Sequence, residues 1–324
     1  MLNRLKNHIE QGWYRSIWHN IVLLPLHWLF WLVVLLRQMV YAVFPPKPVS
    51  VPVIVVGNIT VGGTGKTPLI TWLAQRAMQL QMRVGIVSRG YGGQSAGYPL
   101  WVGPNTAVAE CGDEPWLLQN RLGCPVVVDP VRRRAVEALA GKVDIILSDD
   151  GLQHYGMPRV AEIIVVDDKR GLGNGWLMPI GPLREPAARL QSVDRVVSNG
   201  SDFVLQPLEL RNARTGSAID WIKFEGKPVH AVAGIGNPDR FFATLKQLGM
   251  NPIEHPFGDH HPFVAEDLEF GDSHPVIMTE KDWVKCRDLA GDNVWYLPVE
   301  PVLTRPVRHA LEKLLKTWGD KSNG

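Results

Sequence analysis

The sequence predicts an α/β protein: a parallel sheet with helices on both faces, preceded by an apolar N-terminal helix and followed by a second, smaller α/β domain. Three observations carry the prediction. Short β-branched runs alternate with helical spacings from Val51 onward, the pattern of a parallel sheet covered on both sides. The run VIVVG at 53–57 feeds a glycine-rich turn that ends in Gly65-Lys66-Thr67. An almost continuous apolar stretch, residues 21–36, stands ahead of both.

Residues 1–44 form the N-terminal arm. Its apolar stretch of 16 residues contains Pro25 and His27, stops at Arg37-Gln38, and is followed by a second apolar patch at 39–44 before Pro45-Pro46. A spanning helix needs about 20 such residues. Trp13, Trp18, Trp28 and Trp31, with Tyr14 and Tyr41, supply the aromatics favoured at the headgroup boundary. Arg4, Lys6, Arg15 and Arg37 face a single acid, Glu10. No small-residue cleavage site follows a short apolar core. The arm is therefore expected to be a membrane-embedded or interfacial anchor with its basic residues on the cytoplasmic side. A core helix capping the sheet is the competing expectation. Prolines 45, 46, 48 and 52 end the arm as a stiff linker.

Residues 45–201 read as the first domain, with strands at 53–57, 83–88, 125–129, 143–149, 162–167 and 195–198. Strand, glycine turn and helix in that order make a phosphate cradle. Glycines 62, 63 and 65 let backbone N–H groups converge, the helix N-terminus adds positive potential, and Lys66 adds a full charge. Thr60, Val61, Gly62, Gly63, Thr64, Gly65, Lys66 and Thr67 are the expected phosphate contacts, with the Thr67 hydroxyl on magnesium. Thr60 replaces the usual first glycine, and Val61 stands where switch ATPases carry an extra lysine.

Ligands of open parallel sheets bind beyond the carboxyl ends of the strands. Ser88-Arg89, Asp129, Asp149-Asp150 and Asp167-Asp168 stand there. Asp149 and Asp150, after the apolar run 143–147, are placed as a metal-binding acid pair, and a solvated Asp-Asp-Gly turn is the bland alternative. Asp113 in GDEP reads by itself as a helix N-cap with Pro115 in the first turn. Arg132, Arg133 and Arg134 suit either an anionic substrate group or a solvated helix face. Residues 181–185, GPLRE, read as a loop over the site.

Residues 202–227 read as an extended linker, and 228–324 as the second domain. Its expected strands are near 228–233, 252–257, 275–279 and 293–298, with helices near 238–248, 281–287 and 305–317. The turn GDHHPF at 258–263 sets His260 and His261 side by side, either as a surface turn or as a histidine carried across a cleft to a carboxylate. TEKD at 279–282 reads as a helix capped by Thr279.

Composition removes other classes. A net charge of +2 gives no nucleic-acid surface. Cys111, Cys124 and Cys286 lie far apart without a C-x-x-C pair, which points to a reducing compartment and against structural zinc. No obligate protein partner is expected.

GNITVGGTGKTP, SRGYGG, GDEP, SDDGLQH, GPLREP, DHHPF and TEKD, in this order behind an apolar arm, resemble the tetraacyldisaccharide 4'-kinase family. The resemblance implies a P-loop kinase of lipid A biosynthesis at the cytoplasmic face of the inner membrane. Such an enzyme moves the γ-phosphoryl group of ATP to the 4'-hydroxyl of an acylated glucosamine disaccharide 1-phosphate. It implies Lys66 and Thr67 on phosphates and Mg2+, with Asp149, Asp150 and Glu185 around the metal. Arg89, His154 and Arg184 would be supporting residues. Asp113 would be the general base, paired with His260 or His261 and by preference His260. A membrane-recruited switch ATPase or GTPase is the alternative, weakened by Val61.

Overall fold

The structure, a computed structural model, describes residues 9–14, 17–259 and 261–319. Its strands are β1 (Val53–Gly57), β2 (Val84–Ser88), β3 (Leu100–Val102), β4 (Val126–Val128), β5 (Ile145–Asp149), β6 (Ala161–Asp167), β7 (Arg195–Asn199), β8 (Phe203–Pro207), β9 (Leu210–Asn212), β10 (Ala218–Ile219), β11 (Pro228–Ala233), β12 (Asn251–Pro256), β13 (Val276–Thr279), β14 (Val294–Leu297) and β15 (Val299–Leu303). The first sheet has nine strands in the order β15-β8-β7-β6-β1-β5-β2-β4-β3. Strands β1, β2, β4 and β5 are buried along their whole length, because a parallel sheet carries helices on both faces and so reads as continuous β-branched runs.

One face packs against the helices Lys66–Gln79 and Asp113–Leu122, with Leu69, Leu73 and Leu118 fully buried. The opposite face packs against Arg132–Leu139. Strand β1 lies between β5 and β6, so connections leave it in both directions. The crevice at its carboxyl end is where a ligand fits.

The second sheet runs β10-β9-β14-β13-β11-β12, parallel through β12, β11, β13 and β14. Two expectations change here. The segment 202–227 is no plain linker: β8 extends the first sheet, whereas β9 and β10 belong to the second. Residues 299–319, expected in the second domain, return to the first. Strand β15 pairs antiparallel with β8, from Val299 opposite Pro207 to Leu303 opposite Phe203. The helix Arg305–Gly319 then buries Leu311 and Leu315 in the first core. Its amphipathic stripe needs an apolar partner, and it finds one beside the helix Lys66–Gln79, where Arg76 pairs with Glu312 at 2.9 Å.

The arm forms a helix, Leu24–Val43, with Pro25 in its first turn. It continues through Arg37-Gln38, because these side chains turn to the first domain. Gln38 Nε2 donates to Tyr155 Oη at 3.2 Å, and the Arg37 guanidinium lies 5.6 Å over the Tyr155 ring. At the other end Asn20 Nδ2 donates to Ile180 O at 3.2 Å, and His27 Nδ1 is 3.0 Å from Leu177 O. The apolar residues between these contacts face outward: Leu29 and Val33 are 59% and 54% exposed. A core helix would hide them. This one is long and apolar enough to cross a membrane and is compatible with membrane association.

Candidate active site

The turn at 58–65 joins β1 to the helix Lys66–Gln79. Gly65 stands at the helix N-cap with φ 95°, and a Cβ there would lie 2.6 Å from Asn199 Nδ2, so glycine alone fits. Asn199 Nδ2 instead donates to Thr64 O at 3.0 Å, fixing the turn to the end of β7. Lys66 Nζ donates to Asn58 Oδ1 at 3.0 Å and lies 3.4 Å from Asp150 Oδ1. Residues 182–184 run antiparallel to the turn: Val61 N donates to Pro182 O at 2.9 Å, and Arg184 N to Ile59 O at 2.7 Å. The expected loop over the site is therefore a rail along the turn, which fixes Arg184 and Glu185 relative to Lys66.

Register brings the acids in. The β1–β5 ladder places Val56 opposite Asp149, so β5 ends beside the turn. Asp149 is buried and its Oδ1 has no hydrogen-bond partner. Burial, with Glu114 and Asp150 adding to it, pushes its carboxyl up to about 7. Asp150 is held oppositely. Burial would raise it, but Lys66 and Arg184, the latter donating at 3.0 Å, outweigh burial and keep it well below the usual carboxylate range. Two adjacent acids thus differ through their surroundings.

Asp149 Oδ1 and Thr64 Oγ1 are buried oxygens without hydrogen-bond partners, which suits a hard cation. Among the described residues no group of three or more His, Cys, Asp or Glu side chains is disposed to hold a metal. Magnesium is the cation that needs one or two carboxylates and takes its other oxygens from water and phosphate, so the residues fit it.

Glu185, expected near the metal, is buried and committed to protein donors. Its Oε1 accepts from Gln153 Nε2 at 2.8 Å, and its Oε2 from Tyr155 Oη at 2.5 Å and Arg189 Nε at 3.2 Å. Burial, then the charges of Arg132 and Arg89, push His154 down to about 4, so it is neutral near pH 7. Arg89 is exposed. Of the three successive arginines, Arg133 pairs with Glu137 and Arg134 with Asp129. Arg132 is buried, donates to Asp149 O at 2.8 Å, and leaves Nε and Nη1 without a hydrogen-bond partner.

Asp113 is not the helix cap. Gly112 takes that position at φ 87°, where a Cβ would lie 2.6 Å from Tyr91 O, and Asp113 becomes the first helical residue with its side chain buried. Lys281 Nζ sits 3.1 Å from Glu114 Oε1, 3.9 Å from Asp113 Oδ2 and 3.7 Å from Asp259 Oδ1. Burial opposes its charge, but the three acids outweigh burial and raise its pKa. The DHH turn thus reaches the first domain through Asp259. His261 Nε2 lies 2.9 Å from Asp267 Oδ2, and His260 lies outside the described residues. The second domain also meets the turn directly: a Cβ on Gly236 would lie 3.0 Å from Gly63 N, and Arg170 Nη1 donates to Gly236 O at 3.1 Å.

Sequence reasoning missed Asn58, Glu114, Gln153, Tyr155 and Lys281. All but Tyr155 stand in the quoted motifs, Asn58 in GNITVGGTGKTP, Glu114 in GDEP, Gln153 in SDDGLQH and Lys281 in TEKD, and in TEKD the Thr279 cap accounts for the pattern. That cap is present, with Asp282 N donating to Thr279 Oγ1 at 3.1 Å.

A family model described as tetraacyldisaccharide-1-P 4'-kinase matches residues 19–316. The tetraacyldisaccharide 4'-kinase of Alkalilimnicola ehrlichii is 53% identical over 273 residues, covering 82% of each chain. That of Hahella chejuensis is 46% identical over 311 residues, 90% of this chain and 91% of the relative. Among solved structures, the apo form of LpxK from Aquifex aeolicus in complex with ATP superposes with a TM-score of 0.77 at 28% identity, covering 91% of this chain and 98% of that one.

Proposed function

The chain belongs to the tetraacyldisaccharide 4'-kinase family, and from that premise we propose how its own residues divide the work and where they do it. The activity is ATP-dependent transfer of a phosphoryl group to the 4'-hydroxyl of the acylated disaccharide 1-phosphate of lipid A biosynthesis. This membership overturns the switch-ATPase alternative.

In the proposal, backbone groups of residues 60–65 and the Lys66 ammonium hold the β- and γ-phosphates of ATP. Asp149, Asp150 and Thr67 hold the magnesium ion, which when bound offsets phosphate charge during transfer. Arg89 and the unpartnered donors of Arg132 face the acceptor phosphate, and His154 stays neutral beside them. Asp113 accepts the proton of the attacking hydroxyl, a role that contributes roughly 10² to 10⁴-fold. A histidine of the DHH turn assists it. His260 is preferred, since His261 is engaged by Asp267. Glu185 acts from behind as the node that steadies the loop, in place of a direct metal contact. The second domain closes over the turn and excludes water from the γ-phosphate.

The observation that carries this reading is the convergence on one crevice of Lys66, the split pair Asp149 and Asp150, and the Asp113–Lys281–Asp259 bridge from the other domain. The arm lies along the domain with contacts at both ends and an apolar face outward, which fits an interfacial helix at the cytoplasmic face of the inner membrane. There it brings the crevice to a substrate that stays in the bilayer.

Incubation of the full chain with γ-labelled ATP, Mg2+ and acylated disaccharide 1-phosphate should label the lipid. Steady phosphate release without labelled lipid would refute the assignment.

A further inference from the structure

A hydrogen-bonded path runs from the arm to the phosphate-loop lysine. It begins at Gln38, whose Nε2 donates to Tyr155 Oη at 3.2 Å. Tyr155 Oη donates in turn to Glu185 Oε2 at 2.5 Å. On the other side of that carboxylate, Gln153 Nε2 donates to Glu185 Oε1 at 2.8 Å and to the Asn58 carbonyl oxygen at 3.2 Å. Asn58 ends the path: its Nδ2 donates to Gly62 O at 3.2 Å and its Oδ1 accepts from Lys66 Nζ at 3.0 Å.

Two members of the path, Glu185 and Asn58, are buried. A buried carboxylate or amide is costly unless its partners are in place, so each donor constrains its orientation. Tyr155 touches both the arm and this carboxylate. Its ring stacks on Tyr41 with centroids 5.9 Å apart, and Arg37 lies 5.6 Å over it. The approach is close: a Cβ on neighbouring Gly156 would lie 3.1 Å from Tyr41 Oη. At the far end, Lys66 has a competing partner in Asp150, 3.4 Å away. Whatever holds Asn58 in place sets how Lys66 divides itself between the phosphate loop and that acid.

We propose that Tyr155 is a positioning residue that couples the seating of the arm to the placement of Lys66. The proposal rests on the reading of Lys66 as the phosphate ligand. With the arm seated, Gln38 and Tyr41 fix the Tyr155 hydroxyl on Glu185, Gln153 is held between Glu185 and Asn58, and Lys66 points into the loop. With the arm lifted, the hydroxyl loses its outer donor and its stacking partner, Asn58 relaxes, and Lys66 shifts towards Asp150. Phosphoryl transfer is then fastest when the arm is docked.

The test uses the full chain in detergent micelles with ATP, Mg2+ and the acylated disaccharide 1-phosphate, comparing Tyr155→Phe, Gln38→Leu, Gln38→Lys and the double variant Tyr155→Phe/Gln38→Leu. Tyr155→Phe should lower kcat about tenfold with the acceptor KM changed less than about twofold. Gln38→Leu should lower kcat about threefold, and the double variant should be no worse than Tyr155→Phe alone, because both cut one path. Gln38→Lys keeps a donor and should recover most of the loss. Multiplying effects in the double variant, no recovery with Gln38→Lys, or an unchanged kcat would each overturn the coupling. Lys66→Ala in the same assay separates this from the underlying reading: if it transfers as well as wild type, the phosphate-ligand role itself fails.

Discussion

The carboxyl end of the first sheet and the N-terminal helix break the usual partition of residues in opposite directions. The first buries charge: Asp113, Arg132 and Asp149 are each nearly inaccessible, and Asp149 Oδ1 has no hydrogen-bond partner. The second exposes Trp28, Leu29, Leu32, Val33 and Leu36 along one helix. Both arrangements cost stability in water, the one through desolvation of charge and the other through apolar surface worth about 25 cal/mol per Å² left uncovered. Asp113 meets Lys281 and Arg132 donates to Asp149 O, so the buried charge is offset only in part, while the outward face of the helix is left uncovered. Phosphate and cation fit what the crevice leaves unpaired, and the helix is compatible with a membrane.

The sharpest way to break the crevice is Lys66→Ala, which should lower kcat/KM by about 10² to 10³-fold or more while the folded state persists, since the lysine side chain is only partly buried. Asp113→Ala should follow, with kcat reduced about 10²-fold and ATP affinity within about twofold of wild type. An equal loss of ATP binding, read by titration calorimetry, would make Asp113 a ligand of the nucleotide site instead. The mildest change should improve the fold. Asp149 is raised from its ordinary value of 3.8 to about 7, so the native state holds this proton more tightly than the unfolded chain. Its penalty is absent below about pH 4 and grows as pH rises to about 7. Without Mg2+, Asp149→Asn should therefore raise Tm by roughly 2–4 °C at pH 8 and leave it unchanged near pH 4, while transfer is lost. A Tm that rises equally at both pH values would show that folding does not shift the ionisation of this carboxyl.

These effects also mark which parts of the molecule were legible from residues alone. Strands β1, β2, β5 and β11 fell within a residue or two of their expected ends, because a buried parallel strand is a compact apolar run bounded by polar or glycine residues. The return of β15 to β8 was not, since an antiparallel pairing of residues 299–303 with 203–207 leaves no local mark. The sequence puts Val307, Leu311, Leu314 and Leu315 on one stripe of the last helix, which calls for an apolar partner without naming it.

In the site, Lys66, Asp149 and Asp150 were readable because a strand end and a helix start dictate where they point. The bland reading of GDEP alone, with Asp113 as a cap, does not hold, because the positive φ of Gly112 that displaces Asp113 is a tertiary fact. Gln38 looked like the end of an apolar helix. Its reason for being there is Tyr155, more than a hundred residues away in sequence.

The claim that the crevice and the arm serve one reaction is tested most directly by Leu29→Glu/Leu32→Glu/Val33→Glu, three exposed positions of the helix, assayed with the acceptor in phospholipid vesicles and again in detergent micelles. Transfer to the vesicle-borne lipid should fall at least about tenfold, while transfer to the micellar lipid stays within about twofold of wild type. Equal loss in both, or no loss in either, would contradict the account.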